Sequence, residues 1–165
     1  MFLQKSILLL CSILCMQCTT EAPTSFAESA LQDSVYALDN TQVTIATVLE
    51  KHRGKKILID VWASWCSDCV QGLPRVKALQ EEFPNVVFLF LSVDRSLPSW
   101  KRGIDRFQVK GAHYFLDKGQ KKGAFVNFLN LGWIPRYLVV NEDGSIAVFN
   151  ATNANDKNIV AALKK

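Results

Sequence analysis

Ile57-Leu58-Ile59-Asp60-Val61-Trp62-Ala63-Ser64-Trp65-Cys66-Ser67-Asp68-Cys69 is the stretch that decides the fold. Ile57 to Trp62 is apolar throughout except for Asp60. A short run of this kind reads as a central strand covered on both faces. After the cysteines, Val70, Leu73, Val76, Leu79 and Phe83 recur at helical spacing, and Pro84 follows. That spacing predicts a helix over 70–83. Two cysteines three apart, where a strand turns into a helix, form a redox dithiol. The positive end of the helix favours a thiolate at Cys66, and Cys69 lies within disulfide reach of it. Cys66 is the expected attacking thiolate and Cys69 the resolving thiol.

Asp60 is the third candidate. Burial in an apolar strand penalises its charge and raises its pKa, which suits a group that shuttles a proton to and from Cys69. The alternative is an Asp at the edge of the sheet, bonded locally.

The 165 residues carry a formal charge of +4, with Lys and Arg spread along the chain in pairs such as Lys55-Lys56 and Lys121-Lys122. Phosphate binding needs clustered charge, so no nucleic-acid partner is expected. Apolar content of 49% suits a globular domain. The N-terminus reads as an export signal: Lys5, a nearly all-apolar run from Ser6 to Met16, then the polar segment Thr19-Thr20-Glu21-Ala22-Pro23-Thr24. The run is short for a bilayer span. Cys18, at the boundary, is the expected lipidation site of a bacterial lipoprotein signal, with an uncleaved signal anchor as the alternative. The chain divides into a signal (1–18), a tether (19–33) and one domain (34–165). Only Cys66 and Cys69 remain in that domain, too few for a stapled secreted scaffold. Neither His52 nor His113 has ligand spacing to a partner, so no metal site is expected.

The string 57–66 resembles the active-site strand of the thioredoxin superfamily, and within it the envelope-anchored disulfide reductases of the TlpA/ResA type. Asp60, six residues before Cys66, matches the buried carboxylate of thioredoxins, and Pro74, eight after it, matches their helix kink. Ile134-Pro135, before the apolar run Tyr137 to Val140, matches the family's cis-proline. The resemblance implies a cis bond there, with Ile134 offering backbone groups to an extended client beside the dithiol and Trp65 shaping the contact surface. Trp62 reads as core, and Trp133 fits either the contact surface or packing. Two positions depart from the subgroup: Asp68 stands where many members carry Pro, and Gly72 where several carry Glu.

The remaining pattern predicts strands at 34–38, 42–44, 86–93, 112–116, 136–141 and 146–149, helices at 45–52, 97–107 and 123–129, and a last helix capped by Asp156 or Asn155 and running through Leu163. The expected fold is α/β and thioredoxin-like: a central mixed sheet flanked by helices, with an N-terminal hairpin and, between Leu97 and Leu129, a TlpA-type insertion. The expected function is a thiol–disulfide oxidoreductase that reduces client proteins, apocytochrome c among the family-level possibilities. A membrane electron donor of the DsbD or CcdA type is implied, and no cofactor. The alternatives are a thioredoxin-like protein delivering a soft metal such as Cu(I), and a disulfide-donating oxidant.

Overall fold

A computed structural model describes residues 21–165. Cys11, Cys15 and Cys18, and with them the signal and its lipidation site, lie outside the described residues. In chain order the elements are α1 (Glu28–Leu31), β1 (Ser34–Ala37), β2 (Gln42–Thr44), α2 (Ile45–Glu50), β3 (Ile57–Trp62), α3 (Ser67–Glu82) and β4 (Val87–Ser92). Then come α4 (Leu97–Phe107), β5 (Ala112–Phe115), α5 (Ala124–Phe128), β6 (Arg136–Val140), β7 (Ile146–Ala151) and α6 (Lys157–Leu163). The strands form one mixed sheet in the order β2-β1-β5-β4-β3-β6-β7. β3, β4 and β5 run parallel, while β6 is antiparallel to β3 and β1 antiparallel to β5. The hairpin β1–β2 closes one edge. Every residue of β3 is buried, as its continuous apolar character requires of a central strand.

Local chemistry sets the ends of several elements. Thr44 caps α2, Ser96 caps α4 and Asp156 caps α6, each side chain accepting a backbone N–H from the first turn. Gly54, with φ of +78°, turns the chain after α2, a conformation that costs glycine little.

Two segments differ from the sequence expectation. α3 begins at Ser67, three residues before the apolar periodicity does. Cys66 is its N-cap, the sulfur accepting the N–H of Cys69. A thiol is not among the side chains that announce a cap, so spacing alone places the start too late. The segment 21–33, expected to lack pattern, contains α1 and is fastened to the sheet. Phe26 packs on Phe125 and Phe128 with centroids 6.3 and 5.8 Å apart. Buried Asp33 accepts the Phe125 N–H at 3.0 Å and a Lys118 ammonium at 2.7 Å. The Thr24 carbonyl takes the Ile146 N–H at 2.8 Å. Ile146 pairs with Val140, and Val140 with Ile57, so the Thr24 bond lies at the end of the sheet remote from Cys66. Among the described residues no helix is long and apolar enough to cross a membrane.

Candidate active site

Cys66 and Cys69 are joined as a disulfide across the first turn of α3, with Cα atoms 5.3 Å apart. Cys66 Sγ lies 3.1 Å from the Cys69 nitrogen and 3.6 Å from the Ile134 carbonyl oxygen. In the disulfide the first contact is an N–H donated to sulfur. The second has no proton, and becomes a possible thiol-to-carbonyl bond only on reduction. Cys69 is sealed at 1% exposure and Cys66 is 7% exposed. Cys66 lines a shallow groove of about 280 Å³ that Cys69 does not reach. Its other walls include Trp65, Asp68, Gln120, Trp133 and Ile134.

The Ile134–Pro135 bond is cis, and brings the Ile134 carbonyl beside Cys66. Trp65 and Trp133 stand exposed at 51% and 61%, flanking the dithiol. Trp62, by contrast, is wholly buried, edge-on to Phe90 at 6.4 Å. Trp133 therefore belongs to the surface. Arg136 supports it: the guanidinium carbon lies 5.3 Å from the Trp133 ring centre. Arg136 is itself buried and donates to the Leu129 carbonyl at 3.0 Å and to Asn150 Oδ1. No sequence signal marks this role, because an arginine in an apolar run reads as an exposed strand end.

Asp60 is 2% exposed in the interior of β3, with β4 on one side and β6 on the other. The alternative placement at a sheet edge is thereby corrected: the carboxyl sits mid-sheet. Desolvation pushes its pKa up to about 8, and Oδ1 has no hydrogen-bond partner among the described residues. A second buried acid, Asp94, escaped the sequence reading. It accepts the Ser64 N–H at 3.0 Å, the Ser64 hydroxyl at 2.7 Å and the Ser92 hydroxyl at 2.8 Å. These bonds fix the loop that carries Trp65 and Cys66 out of β3. Among the described residues no three His, Cys, Asp or Glu side chains converge as metal ligands.

The family model described as thioredoxin-like matches residues 54–146, more than half of the chain. The chain belongs to the thioredoxin-like family. Within this family it is similar to the thioredoxin-like protein YneN of Bacillus subtilis, 27% identical over 126 residues covering 72% of this chain and 71% of YneN. The thiol-disulfide oxidoreductase ResA of Bacillus thuringiensis is 23% identical over 100 residues, covering 59% of this chain and 56% of ResA. A solved Bacteroides vulgatus chain, assigned as a thiol-disulfide oxidoreductase, superposes with a TM-score of 0.67 at 28% identity. That superposition covers 85% of this chain and 89% of the other. The thioredoxin-like fold is thus shared over most of the length, and the protein is a thiol–disulfide oxidoreductase of the thioredoxin-like family, with ResA among the proteins it is similar to.

Proposed function

We propose that the protein reduces client disulfides in the cell envelope, with Cys66 as nucleophile, Cys69 as resolving thiol and Asp60 as the group that exchanges a proton with Cys69. The observation that carries this reading is the unequal setting of the two sulfurs: Cys66 lines the groove and caps α3, while Cys69 is sealed beneath. The Cys66 thiolate attacks one sulfur of the client disulfide, forming a mixed disulfide and releasing the other client sulfur as a thiolate. Asp60 takes the proton of Cys69. The Cys69 thiolate then attacks Cys66 Sγ, freeing the second client sulfur and leaving the Cys66–Cys69 disulfide. Two electrons pass to the client, so a donor must return them, and a membrane dithiol carrier of the DsbD or CcdA type fits that need. Trp65, Ile134 and Pro135 are the client-contact residues of this reading.

Trapping tests it directly. Cys69→Ser keeps the attacking sulfur and removes the resolving one. Cells expressing this variant should accumulate mixed disulfides that dissolve with dithiothreitol. A trap yielding no adduct, while wild type reduces insulin in vitro, would overturn the assignment of Cys69.

The envelope location belongs to the same proposal, with residues 1–18 as signal and Cys18 as lipid acceptor. Wild type should fractionate with membranes and label with a fatty-acid analogue, and Cys18→Ser should appear in the soluble fraction without label. A full-length unlabelled cytosolic product would end this part of the proposal and leave the exchange chemistry intact.

A further inference from the structure

Asp60 and Tyr137 are directly opposed in the antiparallel β3–β6 register, so their side chains leave the sheet on the same face. That face lies under α3. A Cβ placed on Gly72 would stand 2.9 Å from the Tyr137 hydroxyl oxygen, so the phenol ends in a notch that exists because residue 72 has no side chain. Gly72 is one turn beyond Cys69, on the same side of α3. Asp60, Tyr137, Gly72 and Cys69 therefore share one layer between α3 and the sheet, in which all but half-buried Gly72 are buried. Two polar atoms in it lack a partner among the described residues: Asp60 Oδ1 and the Tyr137 hydroxyl. Tyr137 also lines a second cavity of about 510 Å³ that continues the dithiol groove through Asp68, Trp133 and Ile134. Gln71, Asn153 and Asn155 give this cavity polar walls.

We propose that Tyr137 is a positioning residue for the exchange reaction: its hydroxyl, held in the Gly72 notch, joins the Asp60 carboxyl to the solvent of the groove through a shared buried water. Unpartnered buried polar atoms of this kind are what internal waters satisfy. A hydroxyl donates and accepts at once, so it passes a proton without changing its own charge. The phenol stays protonated throughout, since burial and the Asp60 charge both push its pKa up. Cys69 gives its proton to the Asp60 carboxylate. The carboxyl proton then passes to the water, the water passes one to the phenol oxygen, and the phenol releases its own to the groove. No electrons move in this step. The proposal rests on the reading of Asp60 as the proton acceptor of Cys69.

The other groups facing Asp60 offer no competing route. Phe90 of β4 is its neighbour on the other side, and His113 of β5 stacks on Phe90 at 5.2 Å. His113 bonds through Nε2 to the Val109 carbonyl and leaves Nδ1 without a partner among the described residues, but Phe90 stands between it and Asp60 in the register, and burial holds its pKa down. From α3, Cys69 is the titratable group of the layer. Arg136, beside Tyr137 in sequence, turns to Leu129, Asn150 and Trp133.

Tyr137→Phe keeps the ring and deletes the hydroxyl. The Asp60 carboxyl titration, followed by difference infrared spectroscopy of the oxidised protein, should move up by about one pH unit, because a hydrogen bond to the charged form is lost. Insulin reduction at pH 7 should fall about tenfold in kcat, with KM unchanged and the loss shrinking at alkaline pH. Gly72→Ala, which crowds the hydroxyl without deleting it, should shift the titration in the same direction and add nothing to Tyr137→Phe in the double variant. An unmoved Asp60 titration in both single variants would overturn the inference, as would a tenfold loss of equal size at every pH. The titration needs no turnover. A shifted titration beside an inactive wild type would therefore support the coupling and refute the reductase reading alone.

Discussion

Cys66→Ser is expected to bring insulin reduction down to background while leaving the fold in place. Cys66 is the sulfur that lines the groove, and it caps the sixteen-residue helix α3. Unsatisfied N–H groups and the dipole at that end favour negative charge, so the thiolate forms here more readily than at Cys69. In the reduced wild type, iodoacetamide should alkylate Cys66 well before Cys69. The fold should survive because serine is a favoured N-cap and can accept the N–H that the sulfur now takes. The disulfide closes a very small loop, so its loss costs about 2 kcal/mol on the chain-entropy account. Activity persisting in Cys66→Ser, or equal alkylation of the two cysteines, would reverse the assigned roles.

Asp60→Asn should change both stability and turnover, and both changes should depend on pH. The ordinary value of an Asp side chain is 3.8, and burial raises that of Asp60 to about 8. Between those values the unfolded chain has released a proton that the native state keeps. The native state then binds more protons, so stability falls as pH rises. The contribution is fully present below pH 3.8 and is lost as pH climbs through about 8. The slope approaches about 1.4 kcal/mol per pH unit, on the order of 5 kcal/mol across the window. Asn does not titrate, so urea midpoints of the variant should lack this slope and exceed wild type increasingly toward pH 8. Turnover should drop about 100-fold near neutrality, where Cys69 needs a base, and recover at alkaline pH, where hydroxide serves. Parallel stability–pH curves for the two proteins would show that Asp60 is ionised or paired in the native state. An unaltered pH–rate profile would leave it a structural residue.

The position of the dithiol, the strand before it and the helix after it are legible in the sequence, because each rests on neighbours a few residues apart. Apolar continuity marks β3, a 3.6-residue period marks α3, and the Cys66–Cys69 spacing is itself local. The capped start of α6 is readable for the same reason. What the tertiary structure alone decides is which distant segments meet. Asp60 is mid-sheet and not at an edge because β4 and β6 flank β3, and the register of strands remote in the chain is not written in any one of them. The same holds for Ser64 meeting Asp94, and for Trp133 lying outside while Trp62 lies within. Gly72 and Tyr137 are unremarkable separately. Only the packing of α3 on β6 makes the missing side chain of one the seat of the other's hydroxyl, since a contact of 2.9 Å depends on helix position and strand register together.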